Sequence, residues 1–137
     1  MTTTNLSAKL AEFRKLASDR MQLVVERSLV RAGTQVIVES PVDKGRFVAN
    51  WMFAFGDYDG TTIDGEFSGE AERQGSINRL ESTLASVDLG SSFFMTNSLP
   101  YADRLENYEW SAKGSKMVAR AVTNFPAIVA EEVGKVR

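Results

Sequence analysis

Leu6, Leu10, Phe13, Ala17, Met21, Val24, Ser28 and Ala32 succeed one another at spacings of three and four, which lays them on one stripe of an α-helix. The spacing predicts a long amphipathic helix from about Asn5 to Glu39. Asn5 or Ser7 can cap its start with a side-chain oxygen, and Ser40-Pro41 ends it, because the residue before proline avoids α geometry. At 1.5 Å per residue such a helix is ~50 Å long. A domain of 137 residues cannot cover that length, so part of the helix must project or kink, with Gly33 as the weak point.

The remainder changes period several times. Phe47 to Phe55 is aromatic-rich and reads as a short helical turn followed by a strand through Trp51, Phe53 and Phe55. Residues 56–72 are dense in glycine and acids, the pattern of a mobile loop or a hairpin tip. Ile77, Leu80, Leu84 and Val87 mark a second helix, and Ser91 to Thr96 a second strand. Pro100 suits the first turn of a short helix that places Tyr101, Leu105 and Tyr108 on one face. Met117 to Val122 alternates and reads as a third strand. Thr123 can cap a last helix, with Pro126 in its tolerated first turn. The expected fold is a single α+β domain over residues 1–137: a long N-terminal helix (about 5–39), a body (about 40–137) with an antiparallel sheet of three or four strands covered by helices, and an acidic loop (about 56–72).

Composition narrows the chemistry. With 43% hydrophobic and 25% charged residues the chain is an ordinary globular one. It contains no cysteine and no histidine, which removes disulfides, thiolate nucleophiles, histidine relays and zinc sites built from either residue. The longest apolar run, Trp51 to Phe55, is far short of the ~20 residues that span a bilayer. Met1-Thr2-Thr3-Thr4 lacks the features of a secretory signal, so folding in a cytoplasm is expected. The net charge of −2 hides a segmentation: +3 over residues 1–55, −8 over 56–109 and +3 over 110–137. Without a clear basic excess this is not the profile of a general nucleic-acid binder.

Three patterns invite a chemical interpretation. Asp57, Asp59, Asp64 and Glu66 offer hard oxygen ligands, yet a calcium loop counted from Asp57 needs glycine sixth and a carboxylate twelfth, where Thr62 and Ser68 stand. A carboxylate pair for hydrolysis needs rigid placement, which a glycine-rich loop does not supply. Ser111 to Lys116 lacks the frame of a phosphate-binding loop and reads as a connector. No catalytic residue, metal or cofactor is expected. Trp51, Trp110 and Phe93-Phe94 read as core rather than as a base-stacking platform, because no basic groove interleaves with them.

Lys9, Arg20, Arg27 and Arg31 fall within ~40° of one another beside the apolar stripe, and Glu12, Asp19 and Glu26 form a parallel acidic stripe. These can be a nucleic-acid edge, a subunit interface in which neighbouring copies match basic to acidic stripes, or a solvated face with internal pairs such as Lys15 with Asp19.

Ser40-Pro41-Val42-Asp43-Lys44-Gly45-Arg46, followed by Asn50-Trp51, resembles the P-V-D-T-G-R…N/S-W signature of small neck and tail-completion proteins of long-tailed bacteriophages. Thr96-Asn97-Ser98-Leu99-Pro100-Tyr101-Ala102, then Leu105-Glu106, is similar to that family's N-x-x-P-Y-A-x-x-L-E segment, and Trp110-Ser111 with Met117-Val118 fits its W-S…G-M-V ending. Lys44 stands where threonine is usual, and Tyr108 where a glycine often follows Leu-Glu. In physical terms Asp43 can cap the turn after the long helix, Gly45 supplies a permissive position and Trp51 enters the core.

The resemblance implies a structural virion protein: a homo-oligomeric ring, a hexamer being favoured, at the head–tail joint, which completes or terminates the tail and leaves a channel for DNA. It implies assembly in the host cytoplasm, contacts with neighbouring neck, connector and tail-tube proteins, DNA only as passing cargo and no membrane. Pro41, Asp43, Gly45, Trp51, Asn97, Pro100, Tyr101 and Glu106 would carry the fold at the joint. The charge segmentation then places Asp57, Asp59, Asp64, Glu66, Glu70 and Glu72 toward the channel. Alternatives are a head-side adaptor or stopper ring and, in another class, a small nucleic-acid-binding module.

Overall fold

A computed structural model describes residues 2–107 and 116–136. The elements run α1 (Thr2–Glu39), α2 (Arg46–Ala49), β1 (Trp51–Phe55), α3 (Ala71–Leu84), β2 (Phe93–Asn97), α4 (Ala102–Asn107) and α5 (Met117–Lys135). The fold is mixed helix and sheet with a long N-terminal helix, as expected. The sheet is smaller than expected: two antiparallel strands among the described residues, with Trp51 opposite Asn97, Phe53 opposite Met95 and Phe55 opposite Phe93.

The expected third strand is the start of α5. Its buried positions, Met117, Ala121, Ile128 and Glu132, recur at four and seven, a helical face. The Glu106 carboxylate accepts the backbone N–H of Val118 at 2.9 Å and of Ala119 at 3.1 Å. Two of the helix's orphan donors are thus satisfied by a residue of α4. Thr123 and Pro126 accordingly lie inside α5 and do not open it. Pro126 removes one intrahelical hydrogen bond, a cost met by the capping and by packing along α1.

α1 packs against α5 and α3, and α3 also covers α2 and β1. The core gathers Val36 and Ile37 of α1, Phe47, Val48, Trp51, Leu80, Leu84, Val87, Leu99, Met117 and Ala121. α1 is one unbroken helix through Gly33, and of projection or a kink, the two outcomes expected of its length, the exposed stretch from Leu6 to Met21 is the part that projects. Gly33 serves close packing instead: a Cβ there would lie 2.7 Å from Leu80 Cδ2. α1 begins at Thr2, which puts Asn5 and Ser7 within the helix and not at its cap. Its far end stops as expected before Ser40-Pro41. The Arg73 guanidinium covers the freed carbonyls there, donating to Ile37 O at 2.7 Å, Val38 O at 2.6 Å and Ser40 O at 3.1 Å.

Asp43 does not cap α2. The N-cap position is Gly45, at φ 95°, with no side-chain cap hydrogen bond. That left-handed backbone, and a Cβ position 2.7 Å from Gly69 O, restrict the site to glycine. Nor is the acidic segment a hairpin tip, since β1 pairs with β2 across it and α3. It is tethered to the body: buried Asn50 accepts from Ile63 N at 2.7 Å and donates to Ile63 O at 3.2 Å, and Gly69 N donates to Lys44 O at 3.0 Å.

Candidate functional site

The two stretches that resemble the neck-protein signature meet in one unit. Asn97 donates from Nδ2 to Phe47 O at 2.9 Å, and its Oδ1 accepts Leu99 N. Phe47 packs edge-on to Trp51, with ring centroids 5.6 Å apart, and also touches Tyr101 at 6.1 Å. Trp51 is buried and donates to Ser40 Oγ. Glu106 continues this unit into α5 through its cap. Pro41 is half-buried behind the end of α1; Pro100 is exposed in the turn before α4 and does not enter its first turn, and Asp43 is exposed. Tyr108, Trp110 and the connector from Ser111 to Ser115 lie outside the described residues, and Lys116 within them.

Arg79, which sequence reasoning missed, holds this unit from the α3 side. It donates to Trp51 O at 2.8 Å, to Ala49 O at 2.9 Å and to Ser76 Oγ at 2.8 Å, and its guanidinium stacks over the Phe53 ring. Ser76 Oγ in turn donates to Val48 O. Burial pushes the Arg79 guanidinium below its ordinary pKa. The arginine satisfies carbonyls that the α2–β1 corner leaves open, an architectural task.

The acids proposed for a channel are at the surface or half-buried: Asp57, Asp64, Glu66 and Glu70 exposed, Asp59 and Glu72 partly covered. Asp64 pairs with Arg46 at 3.0 Å and Glu70 with Arg73 at 2.6 Å. Asp59 accepts Thr61 Oγ1 at 2.6 Å and Thr61 N at 2.9 Å, which hold its carboxyl below the usual range. Among the described residues no group of three or more acids is placed to hold a metal ion.

The interface candidates divide between two environments. Lys9, Glu12, Asp19 and Arg20 ride on the exposed half of α1, where Lys15 and Asp19 form the anticipated internal pair at 3.0 Å. Glu26, Arg27 and Arg31 line a cleft of about 550 Å³ together with Glu81, Glu132 and Lys135. Arg31 is already engaged within the chain, reaching Glu131 at 2.7 Å and Glu132 at 2.9 Å, which raises its pKa. Glu132 is buried and also accepts Lys135 Nζ at 2.9 Å. Hydrogen bonds from Lys135 and then Arg31 hold its carboxyl below the usual range against the opposing effect of desolvation. The two Arg31 pairs lock α5 to α1, as does Arg120 Nε on Glu39 at 2.7 Å, while the Lys135–Glu132 pair lies within α5.

Among the described residues two apolar surfaces are left open. On α1 every described side chain from Leu6 to Met21 is exposed, and Leu6, Leu10, Phe13, Leu16 and Met21 face solvent. On the body, Leu29, Gly33 and Val36 of α1, Met95 of β2, and Val122 and Phe125 of α5 line a groove of about 340 Å³. Residues 121–130 contain no charged side chain. That uncharged run was the sequence signal for the groove, hidden by the assignment of its first residues to a strand.

Comparison with family models, with curated proteins and with solved structures finds no match to this chain. No helix among the described residues is long and apolar enough to cross a membrane.

Proposed function

We propose that the chain is a structural subunit of the neck of a long-tailed bacteriophage, forming a ring at the head–tail joint that completes or terminates the tail and leaves a path for DNA. One observation carries this assignment. The two signature segments, some fifty residues apart in sequence, form a single corner in which Asn97 bonds Phe47 and Tyr101 packs on it, while Glu106 caps α5. Those signature residues that meet here act by shaping backbone or by packing: a glycine at positive φ, an asparagine that turns a strand toward a helix, a glutamate that begins one, and Trp51 and Tyr101 packed around Phe47. None is arranged as a reacting group with an orienting partner, which is what an acid, base or nucleophile needs.

The projecting half of α1 supports the same assignment, because a monomer that exposes a row of large apolar side chains has surface reserved for association. The ring leaves no role for a cofactor, and its partners are copies of itself and the adjoining neck, connector and tail-tube proteins. Electron microscopy of intact virions carrying a labelled chain tests it. Density for the label between head and tail is expected; label confined to the capsid shell, the tail tip or the host would refute the placement.

A further inference from the structure

We propose that the exposed arm of α1, residues 6–21, docks through Leu10, Phe13 and Leu16 into the apolar groove between α1, β2 and α5 of a second copy of this chain. The proposal concerns self-association of the isolated chain and holds wherever the assembly is located.

The groove's lining selects the class of occupant. A small-molecule site places a few convergent polar groups among apolar walls to fix its ligand, whereas among the described residues this groove is lined by apolar side chains, glycine and proline alone. It suits an apolar helix face. Leu29 to Val36 along α1 and Val118 to Pro126 along α5 give it a length of ~10–12 Å at the helical rise, about two turns. Leu10, Phe13 and Leu16 span a similar length of the arm. Phe13 is 69% exposed and Val122, on the groove's rim, is 67% exposed, so both surfaces are available.

The occupant cannot be the chain's own arm. α1 is one continuous helix, and Leu29 lies sixteen helical steps beyond Phe13, which holds Phe13 ~24 Å from the groove's near end. Charge favours the body of a neighbour over a neighbour's arm. Residues 6–21 carry a net +2 and residues 22–137 a net −4. Two arms side by side bring like net charge together, whereas the elements that line the groove, α1 from residue 22 onward, β2 and α5, carry balanced charge and set no like net charge against the arm. Arm and groove are different surfaces, so the contact is heterologous: each copy gives an arm and receives one, and repetition closes a ring or extends a filament.

The chain's lack of cysteine makes the test direct. Phe13→Cys and Val122→Cys are prepared as separate full-length proteins, both at exposed positions, and their folding is checked by circular dichroism. Mixed and oxidised, they are expected to form a disulfide-linked heterodimer, with little crosslinking in either protein alone. In parallel, Phe13→Asp and Val122→Asp are expected to shift sedimentation of the chain from oligomer to monomer. Crosslinking of Phe13→Cys to itself, in preference to Val122→Cys, would overturn the proposal in favour of arm-to-arm pairing. A parent chain that sediments as a monomer at the highest soluble concentration, without mixed crosslinks, would overturn it outright. Failure here leaves the neck assignment standing, since labelled virions test that separately.

Discussion

The indole Nε1–H of Trp51 donates to Ser40 Oγ at 2.9 Å, and that hydroxyl donates onward to Val36 O at 2.7 Å. The first residue of β1 is thereby fastened to the last turn of α1 by a buried relay. Proline 41 ends the helix and the serine before it supplies the latch. The corner between α1 and β1 is fixed by chemistry that begins in a single dipeptide, Ser40-Pro41.

Removing the latch leaves a buried indole N–H without a partner. Ser40→Ala is expected to lower stability by about 1–3 kcal/mol, and Trp51→Ala by about 3–5 kcal/mol. Urea unfolding followed by circular dichroism measures both. Parental midpoints for the two variants would contradict the assignment of this relay to the core.

Glycine to alanine substitutions in two helices should act with opposite signs. At Gly33 a methyl meets Leu80, which is fully buried and has little room to move, so Gly33→Ala is expected to cost about 1–3 kcal/mol. Gly75 lies in α3 with nothing within 4 Å of its Cβ position, so Gly75→Ala is expected to stabilise by about 0.5–1 kcal/mol. Thermal melts of the pair decide it: two shifts in the same direction would be inconsistent with Gly33 as a close-packing site.

Glu132 predicts a pH dependence. Its folded pKa is lowered below the ordinary 4.5 by Lys135 and Arg31. The unfolded state therefore binds its proton first as pH falls, and stability from this group is present above about pH 4.5 and lost through the folded pKa below it. Glu132→Gln is expected to be less stable than the parent at neutral pH, with the gap closing as the parent's carboxylate is protonated. Asp59 and Asp88, also lowered, titrate equally in both proteins and cancel from the difference. Urea midpoints across acid pH would show a constant gap if the pairs of Glu132 with Lys135 and Arg31 contribute nothing.

In the neck assignment, a lumen that passes DNA gains from carboxylates, since each phosphate contact would add salt-dependent affinity and slow a long polyanion. Replacing Asp57, Asp59, Asp64 and Glu66 by lysine is expected to leave the ring assembled and to slow DNA ejection, most at low salt where screening is weakest. Unchanged ejection from virions shown to carry the substituted ring would place these acids on the outside.

The sequence alone determined the elements whose cause is local. The apolar period sets α1, proline 41 ends it, and the aromatic run from Trp51 makes β1, because spacing and backbone sterics act within a few residues. The mixed helix-and-sheet class and the burial of Trp51 followed from the same signals. Tertiary structure decided the rest. Met117 to Val122 alternates like a strand, but the Glu106 carboxylate and the flank of α1 make it helical, and no local rule reports a cap supplied from another element. Gly33 is a weak point only in an isolated helix; with Leu80 against it, it is a packing site. Arg73, Arg79 and Asn50 satisfy backbone carbonyls and amides distant in the chain, partners that exist only once the chain has folded. The groove likewise comes into being only where α1, β2 and α5 meet, because three weakly apolar faces become one binding surface through their arrangement in space.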